Sequence, residues 1–242
     1  MKTNALELTK RFSCVSAVVL MFGLGVASAQ TTNIPGSLSI GPENTATNNS
    51  LAVGTWTWAG STNSVAIGSR IGASGSNSLS VGYIFGAEGD NSVALNQGET
   101  YSPYGFAANY AMVSKSYWGG APTANYAAAF NTAGACADYA FAANGGGANN
   151  TFSAAFGLCA QTASPAQFVV GMYNNVVGTN EDYTATNDFD DSSWSQTDAL
   201  FIVGNGNAGT PSNAMQVRMD GMVLINPSGE LGMGSYTNGP TP

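Results

Sequence analysis

The sequence predicts an all-β chain: a parallel β-roll, or solenoid of coils about 14 residues long, followed by a small C-terminal β-hairpin module. Three observations carry this expectation. A six-residue phrase recurs at Asn49 (NSLAVG), Asn63 (NSVAIG), Asn77 (NSLSVG) and Asn91 (NSVALN), each copy 14 residues after the last. Only 8% of the chain is charged, so solubility rests on Asn, Ser, Thr and Gly, a balance common in exported β-structures with many turns. Near the end, Asp220-Gly221 separates two strand-like runs.

The chain opens on a leader. Lys2, Lys10 and Arg11 precede an apolar run from about Val15 to Val26, and Ala27-Ser28-Ala29 supplies the small-x-small pattern that a signal peptidase cuts. Residues 1–29 therefore read as a secretory signal peptide. The run is shorter than the roughly 20 apolar residues of a membrane helix, and no later stretch approaches that length, so no membrane span is expected in the mature chain. Cys14 precedes the apolar run and does not read as a lipoprotein anchor.

Removing the leader leaves 3 basic and 13 acidic groups, a net charge of −10. So acidic a surface repels phosphate backbones and anionic lipid, which argues against nucleic-acid and peripheral membrane binding.

Residues 30–172 read as the β-roll. A period of 14 is too short for a strand-helix-strand unit, which needs about 30 residues, and suits one coil of two short strands and two turns. Within NSVAIG, Val65 and Ile67 alternate with Ser64, Ala66 and Gly68, the period of a strand. Stacking the copies sets Leu51, Val65, Leu79 and Val93 in one column, Val53, Ile67, Val81 and Leu95 in a second, and the slim Ala52, Ala66, Ser80 and Ala94 on the opposite face. One coil buries too little to stand alone, so coils must stack and pair their backbones with the coils above and below. Both faces read as buried. The slim column lets another backbone approach closely, so the coils are expected to pack against copies of themselves in an oligomer.

A looser copy, Ser37-Leu38-Ser39-Ile40-Gly41, precedes the first repeat. Beyond residue 96 the pattern loosens and continues: Tyr104-Gly105-Phe106-Ala107-Ala108-Asn109 returns at Tyr139-Ala140-Phe141-Ala142-Ala143-Asn144, with NYAAAF from Asn125 between them and FSAAFG from Phe152 after. An insertion is expected near Tyr117-Trp118-Gly119-Gly120, and Phe168-Val169-Val170-Gly171 is the last strand of the roll. Residues 173–198, rich in Asn, Asp, Thr and Ser, read as a polar loop or linker. Residues 199–225 form the hairpin module: Leu200-Phe201-Ile202-Val203, then two runs flanking Asp220-Gly221, a pair that favours a two-residue type I′ turn with positive φ twice. Residues 226–242, rich in Gly and Pro, read as a flexible tail.

The SVAIG-type copies at intervals of 14 resemble the head repeats of YadA-like trimeric autotransporter adhesins, over roughly residues 36–171. FVVGMYNNVVGTN and the later SQTDALFIVGNGNAGTPSNAMQVRMDGMVLI resemble the region after such heads in secreted bacterial and phage tail-fibre-like proteins. The resemblance implies a left-handed roll, assembly as a homotrimer, and a displayed surface that contacts extracellular protein or carbohydrate. It also implies a secreted protein, or one at the bacterial cell surface or outer membrane. No heptad stalk, no C-terminal set of amphipathic anchor strands and no long self-cleaving chaperone domain can be read in the sequence.

The chain has no histidine, which removes the commonest general base, the usual triad and the most frequent zinc ligand. Glu181, Asp182, Asp188, Asp190, Asp191 and Asp198 are the acids that could serve glycoside hydrolysis or calcium, but they stand in a turn-rich stretch whose spacing matches neither an EF-hand nor a Gly-rich nonapeptide loop. Plain solvation is the favoured reading. Gly204, Gly206 and Gly209 fit G-x-G-x-x-G, yet Thr210-Pro211-Ser212 follows where a nucleotide-binding helix should start, so these are turn glycines. Trp56, Trp58, Tyr101, Tyr104, Tyr117 and Trp118 could form an aromatic shelf for sugars or protein, or could cover the coil stack or the subunit seam. Cys136 and Cys159, the two cysteines of the mature chain, could form a disulfide or remain two buried thiols.

No catalytic, cofactor-binding or metal-ligating residue is expected. The sequence reads as a non-enzymatic, exported, adhesin-like trimeric head. Its rivals are a secreted structural or tail-fibre-like scaffold without a specific ligand and a carbohydrate-active enzyme on a β-solenoid.

Overall fold

The computed structural model describes residues 36–114, 124–176 and 195–225. Among these residues every regular element is a strand, and the strands wind into a β-solenoid. Each coil up to that of Phe141–Ala143 contributes one strand to each of two sheets, and the next adds only an isolated bridge between Gln161 and Gly147. The longer strands run Leu38–Ile40, Leu51–Thr55, Val65–Ser69, Leu79–Tyr83, Val93–Leu95, Phe106–Ala108, Ala128–Phe130, Phe141–Ala143, Ala154–Phe156 and Phe168–Met172, paired in that order. The second sheet is made of two-residue strands, from Thr45–Ala46 to Gly147–Ala148. All pairs within the coils are parallel, because each strand meets its successor after one full turn of the chain.

The register is the one the repeats require. Leu51 pairs with Val65, Val65 with Leu79, and Leu79 with Val93, while Ala52, Ala66, Ser80 and Ala94 form the neighbouring column. Like side chains therefore stand one strand spacing apart, about 4.8 Å. Ser37-Leu38-Ser39-Ile40-Gly41 supplies the first coil, Leu38 pairing with Leu51. The two looser aromatic phrases are also coils: Phe106 pairs with Ala128, Ala128 with Phe141, Phe141 with Ala154, and Ala154 with Phe168.

The corners explain why the period is not uniform. At Gly54, Gly68 and Gly82 the chain turns with φ of 135° to 143°, a region that suits glycine. A β-carbon on Gly54 would lie 1.7 Å from the Gly68 carbonyl oxygen, and one on Gly68 would lie 1.8 Å from that of Gly82. No side chain fits there. Farther along, the same corner is turned by Asn96, Asn109, Asn131 and Asn144 with φ of 47° to 60°, and the turn is shorter by a single residue. The partners Val93 and Phe106, Ala128 and Phe141, and Phe141 and Ala154 are accordingly one position closer along the chain than Val65 and Leu79.

The interior is made of very small side chains. Ala52, Ala66, Ser80, Ala94, Ala107, Ala129, Ala142 and Ala155 of the long sheet are all buried, as are Ala46, Ala59, Ala73, Ala87, Ala135 and Ala148 of the short sheet. This corrects one expectation. The slim column does not wait for another copy: the second sheet of the same chain covers it. The branched column is the one that faces outward. Coils this short bring their two walls close enough together that alanine, serine and threonine fill most of the gap, with larger side chains such as Ile71 and Val113 also admitted to it, and the long sheet of the first coils turns its branched residues away.

Buried hydroxyls are tied to the backbone of the coil corners. Ser64 Oγ donates to the Ser61 carbonyl at 2.8 Å, Ser78 Oγ to that of Gly75 at 2.6 Å, and Ser92 Oγ to that of Gly89 at 2.6 Å. The repeated geometry of this serine follows from its place just inside a turn.

The long sheet continues past the coils. Phe168–Met172 pairs parallel with Ala199–Asn205, which pairs antiparallel with Asn213–Arg218, which pairs in turn with Val223–Ile225. Ala199 and Ile202 are buried there. The final turn differs from the type I′ expectation. Of its residues only Gly221 has positive φ (81°), and the loop closes with Gly221 N–H donating to the Arg218 carbonyl at 3.0 Å and Arg218 N–H to that of Met222 at 2.9 Å. Asp220 decides this: its carboxylate accepts the Met222 N–H at 3.0 Å and pairs with the Arg218 guanidinium at 2.9 Å, which holds a three-residue loop in place of a two-residue one. The expected signal peptide, the expected tail and most of the expected polar loop lie outside the described residues.

Candidate binding surface

Among the described residues, an extended apolar feature of the surface is the outward face of the long sheet. In the first coils it carries Leu38, Ile40, Leu51, Val53, Val65, Ile67, Leu79, Val81, Val93 and Leu95, none of them buried, with Leu38 and Ile40 each 48% exposed. Strand alternation forces this: once the slim residues are inside, the branched ones can only be outside.

From Phe106 on, the same face changes composition and keeps its two columns. One column reads Phe106, Ala128, Phe141, Ala154, Phe168 and the other Ala108, Phe130, Ala143, Phe156, Val170. Each coil thus offers one phenylalanine, and the ring switches column at every step. The rings form a diagonal chain through the coils: Phe106 to Phe130 at 5.1 Å between centroids, Phe130 to Phe141 at 5.6 Å, Phe141 to Phe156 at 5.1 Å and Phe156 to Phe168 at 5.4 Å; past the coils the alternation ends, and Phe201 stacks on Phe168 in the same column at 5.7 Å. Such offsets are favourable for aromatic pairs. Two phenylalanines on one coil would crowd, and a phenylalanine in one column on every coil would stack face to face; the alternation avoids both.

A second aromatic row stands at a corner. Asn49, Asn63, Asn77, Asn91, Tyr104, Tyr126, Tyr139, Phe152 and Ala166 occupy one equivalent position, all with φ between 55° and 61°. Asparagine tolerates this left-handed geometry, and its amides join the coils: Asn63 donates to Asn77 and Asn77 to Asn91, each at 3.1 Å. Tyrosine does not favour it. Here stacking offsets the strain, with Tyr104 and Tyr126 at 4.6 Å and 8°, Tyr126 and Tyr139 at 5.2 Å and 7°, and Tyr139 and Phe152 at 4.8 Å and 8°. The ring faces are turned to one another, so the row presents ring edges and hydroxyls to solvent.

The expected aromatic shelf is divided by this structure. Tyr104 belongs to the corner row. Tyr101 is half-buried elsewhere, its hydroxyl donating to the Glu99 carboxylate. Burial, then that bond, push the Tyr101 hydroxyl well above its ordinary range, and burial with the nearby Glu99 charge raises Glu88. Trp56 and Trp58 are exposed at a corner of the Leu51 coil. Tyr117 and Trp118 lie outside the described residues. The row of Tyr126, Tyr139 and Phe152 was missed by sequence reasoning, although aligning the NSLAVG asparagine with the first residue of YGFAAN and FSAAFG would have found it.

Of the six acids, Asp198 alone lies among the described residues. It is buried and holds a turn, its carboxylate accepting the Ser195 N–H at 2.9 Å, which marks it as structural. Gly204 lies within the strand that ends at Asn205, while Gly206 and Gly209 belong to the turn to Asn213–Arg218, where the Asn207 side chain accepts the N–H groups of Gly209 at 3.0 Å and Thr210 at 3.1 Å. The two cysteines are free. Cys159 is exposed at a corner, whereas burial pushes the half-buried Cys136 thiol up to about 11.

No curated protein matches the chain, and no solved structure does either. A family model does match: residues 48–70 and 73–95 each fit the YadA head domain repeat, two copies that span the coils built from the NSLAVG, NSVAIG, NSLSVG and NSVALN phrases. Those coils carry YadA-like head repeats.

Proposed function

We propose that the chain is a non-enzymatic, exported, adhesin-like head that assembles as a homotrimer and displays a surface to extracellular or cell-surface molecules. The outward face of the long sheet carries this reading. It presents branched and aromatic side chains over the whole coil stack, from Leu38 to Phe168, and a continuous exposed apolar face marks an interaction surface. Copies of the chain meeting along that face would remove it from water, and the YadA head repeats in residues 48–95 support three as their number. Export rests on the leader-like residues 1–29.

Two experiments test the reading. Sedimentation equilibrium of the exported chain should give three times the monomer mass; a stable monomer removes the assembly. Binding to arrays of glycans and matrix proteins should reveal a ligand, and silence on both would leave a structural scaffold as the better description.

A further inference from the structure

At the corner that follows the long strands, Trp56, Arg70 and Ile84 occupy equivalent positions on three successive coils. Bonds between coils fix their register, Arg70 N–H donating to the Thr55 carbonyl at 2.9 Å and Ile84 N–H to that of Ser69 at 3.0 Å. The outer two of these coils carry large rings: Trp56 is 60% and Trp58 51% exposed on one, Tyr83 43% and Phe85 45% exposed on the other. The coil between them offers Ser69, Gly72 and the buried Ile71 beside Arg70. The backbones that carry the two sets of rings thus stand two strand spacings apart, roughly 9.6 Å, with Trp58 reaching over Gly72 and with Arg70 the one exposed large side chain at this corner of the coil between them. Trp58 is held in place, since its indole lies so close over Gly60 that a β-carbon there would come within 2.6 Å of the ring.

Arg70 has no acidic partner among the described residues. In a mature chain with 3 basic and 13 acidic groups, a guanidinium left open between exposed rings is suited to a carboxylate, which it can bind through two parallel hydrogen bonds. The rings suit flat apolar faces. A protein hot spot would instead sit in a desolvated pocket ringed by further contacts. Here each ring is about half in solvent.

We propose that this corner binds a carboxylate-bearing saccharide, Arg70 pairing with the carboxylate while Trp56, Trp58, Tyr83 and Phe85 receive the apolar faces of neighbouring sugar rings. The proposal names a ligand class for the display role argued above and rests on that role. Glu43 stands in the same corner row, one coil before Trp56, and opposes an anionic ligand from that side.

The whole exported chain should be retained on immobilised hyaluronan or polysialic acid, not on neutral dextran, and released by salt. Arg70→Gln should weaken binding about tenfold or more, the effect of losing one charge-assisted bond pair. Arg70→Lys should recover part of it. Trp58→Ala, and Trp56→Asn, which keeps a residue suited to positive φ, should each weaken it several-fold, and Glu43→Gln should strengthen it. Equal binding by Arg70→Gln, equal retention on dextran, retention of an acidic protein through these residues without either glycan, or failure of an intact trimer to bind either glycan would overturn the assignment. A monomer that still binds would overturn the trimer and leave the corner standing.

Discussion

The coils before Phe106 and those after it share one backbone plan and solve it with different side chains. At the corner held by asparagine amides in the first region, tyrosine and phenylalanine stack in the second. The outward columns carry Leu, Val and Ile in the first and the alternating Phe and Ala in the second. The glycine corner of the first gives way to an asparagine corner, where Asn96, Asn109, Asn131 and Asn144 pass amide hydrogen bonds from coil to coil at 2.8 to 3.0 Å, before glycine returns at Gly157 and Gly171. A solenoid thus demands little of any one residue and much of the row. Each position is stabilised by a like neighbour one strand away, so a conformation that disfavours a lone tyrosine is tolerable in a stack of them.

Breaking a glycine corner should do the most damage. Gly68→Ala adds a β-carbon against the Gly82 carbonyl at a φ of 143°, and backbone strain with overpacking should cost about 3 kcal/mol or more in urea unfolding. The equivalent change at Asn144, to alanine, meets no such wall and should cost about 1 kcal/mol, the difference between the two regions in one measurement.

Next comes the outward face. Ile67→Asp should shift sedimentation from trimer to monomer. Phe130→Ala should cost the assembled protein about 3 kcal/mol if the zigzag is buried between copies, and the exchanged pair Ala128→Phe with Phe130→Ala should not restore it, since both rings of neighbouring coils would then crowd one column.

Smaller effects distinguish the two corner rows. Tyr126→Ala removes two stacked contacts and should lower stability by about 1–2 kcal/mol, with Tyr126→Asn milder because asparagine accepts the corner geometry. In the first region, Ser80→Ala should stabilise by about 1 kcal/mol: the Ser80 hydroxyl is buried without a hydrogen bond between Ala66 and Ala94, where alanine already serves.

The effect confined to alkaline solution is one of pH. The Cys136 thiol stays protonated in the folded chain up to about 11, while the unfolded thiol ionises near its ordinary 9.0. Its contribution is therefore whole below about pH 9 and is lost as pH rises to 11, a loss that Cys136→Ala should abolish in unfolding curves. Cys159, exposed at its corner, should be alkylated at pH 8 well before Cys136.

Much of this was legible. Four phrases at one fixed spacing determine the stack, because equal spacing along a wound chain places like residue over like, and alternation within NSVAIG separates the branched face from the slim one. The short sheet was not legible: a strand as brief as Gly72–Ala73 or Thr45–Ala46 cannot show any period. The corner row of rings was legible only by aligning the phrases on their first residues, since Tyr104 and Tyr126 stand 22 residues apart where the neighbouring steps are 13 or 14.

By itself, then, the sequence determined that the chain winds, in which register, and which side chains share a column. Only the tertiary structure decided which face lies inside. Alternation is symmetric and cannot tell the two faces apart; the narrowness of so short a coil does, since it admits Ala66 and Ser80 to the interior and turns Val65 and Ile67 outward.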